Sequence, residues 1–209
     1  GGLDHVFASG KNVNILVMDT EVYSNTGGQQ SKATPIGASA KFATAGKTLP
    51  KKDLGMMAMA YEDVYVANVA FGSKDVQTTR ALQDAVSWPG VSLVVAYSHC
   101  IAHGYDLAHG LDQQKLAVDA GYWPLYRWDP RKLGTNESPL TLDSKEPTGS
   151  LYDFMKGEAR FQMVERADPE RYMGLVGSAE ANIRRRFAML RRFAGLPDAT
   201  PPAKKDAAE

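Results

Sequence analysis

The sequence has little or none of three features that would place it in a specialised class of protein. It has a single cysteine, Cys100, in 209 residues, so an internal disulfide framework is excluded. No apolar run is long enough to span a membrane. Basic and acidic residues number 24 each, so no net charge favours nucleic acid. We therefore expect a cytoplasmic globular protein with no nucleic-acid partner and no membrane partner.

The first ten residues, GGLDHVFASG, lack both an initiator methionine and the basic and apolar regions of a signal peptide. They are typical of the interior of a secondary-structure element. We expect the sequence to be a piece of a longer chain, although its length allows a sizeable core of its own.

Apolar runs alternate with helix-forming segments through the first 130 residues. NVNILVMD, VYVANVAF and VSLVVAYS predict three strands, and the first is apolar enough to predict burial on both faces. Helical segments between them predict parallel βαβ units. A shorter run, WPLYRWDP, predicts an edge strand. The predicted fold class is α/β, with a mostly parallel sheet flanked by helices.

The pattern changes after residue 130. Residues 131–194 predict an extended connection rich in Pro, Gly, Ser and Thr, followed by two amphipathic C-terminal helices. Residues 195–209 predict a disordered tail. We therefore divide the chain into an α/β domain at 1–130, a helical extension at 131–194 and a tail at 195–209.

A polar loop, DTEVYSNTGG, follows the first strand. Asp19 and Glu21 supply carboxylates, Thr20 supplies a hydroxyl, and the Gly-Gly pair lets the backbone approach a ligand closely. Hard oxygens of this kind suit magnesium, which takes few protein ligands and shares the rest with phosphates and water. The residues alone fit either a magnesium–diphosphate site or an ordinary polar turn.

A second loop, SHCIAHGYD, follows the third strand. Ligands of open α/β sheets bind past the carboxyl ends of the strands, so we expect both loops at one edge of the sheet. Cys100 has three interpretations: a buried apolar thiol, a nucleophile with a histidine base from His99 or His103, or a metal ligand. A four-thiolate cluster would need cysteines from elsewhere.

The sequence resembles the pyruvate:ferredoxin (flavodoxin) oxidoreductase family in four long stretches: DTEVYSNTGGQQSKATPIGASAKFATAGK, KKDLGMMAMAYEDVYVANVAFG, WPGVSLVVAYSHCIAHG and AGYWPLYRWDPR. The resemblance runs from Gly1 to about Ser144 and concerns the C-terminal part of the thiamine-diphosphate-binding region. It implies a thiamine-diphosphate-binding fold and oxidative decarboxylation of pyruvate with coenzyme A. It also implies electron transfer through iron–sulfur clusters to ferredoxin or flavodoxin, and a homodimer at full length.

The resemblance implies roles for five residues of the first loop. Thr20 would give a side-chain oxygen to Mg²⁺, and Val22 would give its backbone carbonyl. Asn25 would be catalytic, facing the thiazolium of thiamine diphosphate and the substrate carboxylate. Ser24 and Thr26 would line the same cofactor site.

The resemblance also assigns Cys100 as one thiolate ligand of the [4Fe-4S] cluster nearest the thiamine. The family's Gly-Asp-Gly metal motif, its other three cluster cysteines and its activating glutamate have no match in this sequence. We therefore expect the remaining domains of the same enzyme to complete both sites, and the isolated chain to be inactive. Two alternatives stay open: a cluster-free thiamine enzyme of another class, and a non-catalytic assembly module.

Overall fold

A five-stranded sheet lies at the centre of the computed structural model, which describes residues 1–197. The strands are β1 (Val13–Asp19), β2 (Tyr65–Val69), β3 (Val91–Tyr97), β4 (Tyr126–Trp128) and β5 (Leu140–Leu142). Their spatial order is β1-β3-β2-β4-β5. β1, β3 and β2 are parallel, and β4 is antiparallel to both of its neighbours. The predicted α/β class is confirmed.

Helices cover both faces of this sheet. They are α1 (Gly2–Phe7), α2 (Leu54–Met59), α3 (Asp75–Ser87), α4 (Gly110–Asp119), α5 (Leu151–Lys156), α6 (Ala159–Ala167) and α7 (Pro169–Phe193). The main core lies between one sheet face and a layer that includes α2, α5, α6 and α7. A smaller core lies between the opposite face and α3. No helix within residues 1–197 is long and apolar enough to cross a bilayer.

Side-chain caps fix where the helices of the main layer begin. Asp53 accepts a hydrogen bond from the Met56 amide at 3.0 Å and starts α2. The same carboxylate pairs with Arg186 of α7 at 2.7 Å, which ties the two helices together. Asp168 caps α7 in the same way. Such caps satisfy amide groups that the first helical turn leaves unpaired.

The first C-terminal helix of the sequence prediction is two helices in the structure. LYDFMKGEARFQMVER breaks between α5 and α6, because Glu158 adopts extended backbone (φ −123°, ψ 130°). Its carboxylate turns into the interior and is fully buried. The break is important for the site, since it places the start of α6 beside the sheet edge.

Two strand predictions are wrong in detail. β1 is not buried on both faces: it is the edge strand of the described residues, and Leu16 and Met18 are 55% and 60% exposed. WPLYRWDP is not an edge, because β5 pairs with β4 on its outer side. The three-residue β5 lies inside the predicted connection and is stabilised by this pairing. The tail predicted for 195–209 lies outside the described residues from 198 onward.

Candidate functional site

The loops after β1 and β3 meet at one edge of the sheet, as the sequence predicts. β1 and β3 are paired neighbours, with Asp19 opposite Tyr97. The Ser98 amide donates to the Asp19 carbonyl at 3.1 Å, just past the strand ends. Farther out, the imidazole Nε2 of His103 lies 2.9 Å from the Thr20 carbonyl. The loop that carries Cys100 therefore supports the loop that carries the candidate magnesium ligands.

Glu21 is the most constrained residue of the first loop. Its φ is +63°, in the left-handed region that a residue with a side chain rarely adopts. The Asp19 carboxylate accepts from the Glu21 amide at 2.9 Å, and the Thr34 hydroxyl donates to the Glu21 carbonyl at 2.8 Å. This conformation costs on the order of 1–2 kcal/mol, so the surrounding contacts must hold it in place.

The buried carboxylate of Glu21 has three charged or polar partners. Lys51 lies at 3.0 Å, Arg160 at 2.9 Å, and the Tyr122 hydroxyl donates at 2.7 Å. Burial alone would raise the pKa of Glu21, but the two cations outweigh it and lower the pKa to about 2. The group is therefore ionised at neutral pH inside the protein.

Both carboxylates of the loop are committed to cations rather than free for a metal. Asp19 pairs with Lys51 at 2.5 Å, and Lys51 also bridges to Glu21. In agreement, residues 1–197 contain no group of three or more His, Cys, Asp or Glu that could hold a metal ion. The two acids that look like candidate magnesium ligands in the sequence instead fix the shape of the loop.

Two other oxygens of the loop converge. The Thr20 hydroxyl donates a hydrogen bond to the Val22 carbonyl, with the two oxygens 3.2 Å apart on either side of the strained Glu21. Two ligands at right angles on Mg²⁺, each at 2.0–2.1 Å, would be separated by about 3 Å. The pair therefore fits adjacent positions of a magnesium shell, provided that the hydroxyl hydrogen turns away from Val22. The rest of such a shell must come from groups other than the loop's own carboxylates.

The outer half of the loop is largely exposed and is held by turn hydrogen bonds and by a backbone pairing of Gly28 with Lys41. The Thr26 hydroxyl donates to the Gln29 side chain at 2.7 Å, and the Gly28 amide donates to the Tyr23 carbonyl at 2.9 Å. Asn25 is exposed, and its amide has no hydrogen-bond partner within residues 1–197. Asn25 and Thr26 are thus accessible to a ligand, while Ser24 is half-buried at the base of the turn.

Cys100 is buried at the start of a short 3₁₀ turn that contains His103. Its sulfur accepts a hydrogen bond from the Ala102 amide at 3.4 Å. Burial lowers the pKa of His103 to about 4, so its ring is neutral at pH 7. The neutral ring then donates from Nε2 to the Thr20 carbonyl, because a carbonyl can only accept. His99, the other candidate base, is exposed.

A cavity of about 420 Å³ lies behind this site, between the sheet and α7. Its walls are mainly apolar and include Ile36, Trp123 and Ile183. Lys51 lines the cavity together with Asp19 and Glu21 of the loop. Neither Thr20 nor Val22 lines it. The cavity therefore reaches the loop at Asp19 and Glu21 rather than at the two converging oxygens.

Sequence reasoning missed the buried ion pairs around Glu21. Lys51 and Arg160 lie far from the loop along the chain, and no spacing rule connects them to it. One signal was present: Glu158 and Arg160 interrupt an otherwise apolar helical pattern at interior positions. Charged residues at such positions are almost never fully buried unless they are paired.

Comparison with known proteins gives long matches to one kind of enzyme. The chain is 65% identical over 198 residues to the pyruvate-flavodoxin oxidoreductase of Rhodospirillum rubrum, which covers 95% of the chain. It is 50% identical over 194 residues to the pyruvate:ferredoxin oxidoreductase of Moorella thermoacetica, which covers 93% of the chain. The chain resembles one segment of these oxidoreductases along nearly its whole length. No family model matches it.

The resemblance to the pyruvate:ferredoxin (flavodoxin) oxidoreductases that the sequence predicts is thus confirmed. The chain spans only about one sixth of these relatives, 16% of the Rhodospirillum protein and 17% of the Moorella protein. A third relative, from Klebsiella pneumoniae and also named pyruvate-flavodoxin oxidoreductase, is 53% identical over 197 residues. What these oxidoreductases do as whole proteins therefore concerns much more chain than the segment described above.

Proposed function

We propose that this chain is one segment of a pyruvate:ferredoxin or pyruvate:flavodoxin oxidoreductase. The observation that carries the proposal is the 65% identity over 198 residues to a pyruvate-flavodoxin oxidoreductase. The complete enzyme would oxidatively decarboxylate pyruvate with coenzyme A to acetyl-CoA and CO₂, and pass the electrons to ferredoxin or flavodoxin. It would act as a cytoplasmic homodimer in which the other domains complete the sites of this segment.

In this proposal the first loop holds part of a Mg²⁺–thiamine diphosphate site. Thr20 and Val22 give two adjacent oxygens to the metal, which their 3.2 Å separation supports. The remaining oxygens come from the diphosphate, from water and from a carboxylate on another segment, because Asp19 and Glu21 are paired with cations. When bound, thiamine diphosphate supplies the electron sink that decarboxylation of a 2-oxoacid requires.

In this proposal Asn25 meets the substrate. Its amide is exposed on the outer half of the loop and carries both donors and an acceptor. It can donate to a carboxylate and so orient pyruvate beside the cofactor. Ser24 and Thr26 flank it and line the same surface.

Cys100 provides one thiolate to a [4Fe-4S] cluster close to the thiamine. Two observations support this role: the cysteine lies on the loop that touches Thr20, and its sulfur already accepts an amide hydrogen bond. Hydrogen bonds to ligand sulfurs are among the features that tune cluster potentials. Two exposed apolar side chains follow residues of these loops in sequence, Ile101 (78%) after Cys100 and Phe42 (82%) after Lys41, which pairs with Gly28. Such exposure suits a surface that other domains cover.

The test uses the full-length polypeptide that carries this segment, and the 209 residues alone. We expect pyruvate- and coenzyme-A-dependent reduction of ferredoxin or flavodoxin by the full-length protein, and no turnover by the segment. Cys100→Ser in the full-length protein should remove one cluster, or about four iron atoms per polypeptide, while thiamine diphosphate still binds. Turnover by the isolated segment, or an unchanged iron content in Cys100→Ser, would contradict the proposal.

A further inference from the structure

The start of α6 contacts both loops of the candidate site. The Arg160 guanidinium lies 2.9 Å from the Glu21 carboxylate and 2.6 Å from the Glu158 carboxylate. All three side chains are buried, with Arg160 only 4% exposed. The Ala159 amide donates to the Gly104 carbonyl on the Cys100 loop at 3.2 Å. Two adjacent residues of one helix therefore reach the metal loop and the cysteine loop.

We propose that Arg160 is a positioning residue for the magnesium loop and acts through Glu21. It holds Glu21 buried in its left-handed conformation, and so keeps the Thr20 hydroxyl and the Val22 carbonyl together. The inference deepens the proposed function and rests on it, because the position of these two oxygens is relevant only if they bind the metal.

The energetic reason lies in the burial of Glu21. An ionised carboxylate enters a protein interior only when it is paired and hydrogen-bonded. Without the guanidinium, Glu21 would keep Lys51 and Tyr122 but lose its most deeply buried cation. The favourable alternative is then to rotate Glu21 toward water and relax its φ to negative values. Since Thr20 and Val22 flank Glu21, that relaxation would separate the two oxygens.

Glu158 makes the position of Arg160 specific. Its carboxylate accepts from Arg160 Nε and also from the Gln113 amide at 2.9 Å, so a second buried group fixes the guanidinium. The backbone adds to this, because the Arg160 carbonyl accepts from the Ser39 amide at 2.8 Å. The guanidinium thus has a fixed orientation between two carboxylates, which the point charge of a lysine would reproduce only in part.

Close packing holds the start of α6 against the cysteine loop as well. Gly104 has φ +77°, and a Cβ added there would lie 2.5 Å from the Ala159 Cβ. The glycine is therefore required by both its backbone conformation and the contact with α6. A shift of α6 would change both loops. The iron content of the [4Fe-4S] cluster proposed at Cys100 therefore serves as an internal control for this proposal.

The experiment compares Arg160→Met and Arg160→Lys in the full-length polypeptide. Its control is Arg166→Met. Arg166 lies on the same helix, and its guanidinium donates a hydrogen bond to the Gln162 side chain at the surface. The measurements are the dissociation constant of Mg²⁺–thiamine diphosphate, the iron content and the melting temperature. We expect Arg160→Met to weaken cofactor binding at least about tenfold, Arg160→Lys to restore part of it, and Arg166→Met to leave it unchanged.

A double-variant cycle with Glu21→Gln separates positioning from general loss of stability. If Arg160 acts through Glu21, Arg160→Met should weaken cofactor binding far less in the Glu21→Gln background than in the native one. Equal losses in both backgrounds, or a lower melting temperature with an unchanged dissociation constant, would overturn the proposal. If Arg160→Met does not fold, the same measurements on Arg160→Lys and Glu158→Gln replace it. A native dissociation constant for the cofactor in both of these variants would overturn the proposal. Failure of the unmodified full-length protein to bind the cofactor would instead refute the proposed function.

Discussion

The two halves of the loop after β1 differ in what holds them. The inner half, Thr20–Val22, is fixed by the buried Glu21 carboxylate, which pairs with Lys51 and Arg160. It is also fixed by His103, whose ring contacts the Thr20 carbonyl. The outer half, residues 23–28, is held by turn hydrogen bonds within the loop and by a backbone pairing with Lys41. The inner half presents two oxygens with a spacing that suits a metal, while the outer half presents an exposed amide.

The two halves therefore differ in how far contacts within the described residues set their shape. A ligand oxygen that is already in place binds an ion more tightly, because no free energy is lost in ordering the loop. A residue that meets substrate can be ordered later, by the substrate and by other domains. We therefore expect changes to the inner half to affect folding strongly, and changes to the outer half to affect folding very little.

The largest effect on folding is expected from Glu21→Gly in the 209-residue chain. Glycine relieves the positive φ, but removal of the buried carboxylate leaves Arg160 and Lys51 short of a partner. Breaking a buried ion pair costs about 3–5 kcal/mol, so the free energy of unfolding should fall by about 2–4 kcal/mol in denaturant titrations.

Glu62→Gly is the matched control for that change. Glu62 also has a positive φ, +59°, but its side chain is exposed and makes no buried ion pair. Only the backbone strain is relieved there, so we expect a gain of up to about 1 kcal/mol. Similar effects of the two substitutions would show that the inner half is not held by its ion pairs.

A pH-dependent effect of intermediate size is expected from His103. Because its pKa is lowered to about 4 by burial, the unfolded chain binds a proton near pH 6.5 while the folded chain does not. The stabilisation is fully present above pH 6.5 and is lost as the pH falls toward 4. Unfolding titrations should show a loss of about 3 kcal/mol across this range.

Two variants test whether His103 causes this pH-dependent loss of stability. His103→Gln should abolish most of the pH dependence between 6.5 and 4.5, and His109→Gln should retain it, because His109 is exposed. Glu21 contributes its own loss only below about pH 4.5, since its pKa is lowered to about 2. An unchanged pH profile in His103→Gln would contradict the neutral, buried ring described above.

The strands and the meeting of the two loops could be predicted from sequence, because both follow from local patterns. Apolar runs locate β1, β2 and β3, and parallel strands must end at a common edge. The exposure of β1 could not be predicted, because burial depends on which strands pair with it. The pairing of Glu21 with Arg160 could not be predicted either, because it joins residues far apart in the chain through tertiary packing.

The smallest effect is expected from Asn25→Ala in the 209-residue chain. The side chain is exposed and unpartnered within residues 1–197, so the free energy of unfolding should change by less than about 0.5 kcal/mol. A loss above about 1 kcal/mol would mean that the Asn25 side chain itself helps to hold the outer half, beyond the backbone hydrogen bonds described above.

The central claim, that the inner half of the loop is the magnesium-binding half, is tested most directly by Mg²⁺ titration of thiamine diphosphate binding in the full-length polypeptide. Thr20→Val removes one of the two converging oxygens and keeps the side-chain shape, while Thr79→Val changes an exposed threonine on α3. We predict that Thr20→Val raises the Mg²⁺ concentration for half-saturation at least about tenfold, and that Thr79→Val leaves it unchanged. An unchanged Mg²⁺ requirement in Thr20→Val would contradict the account.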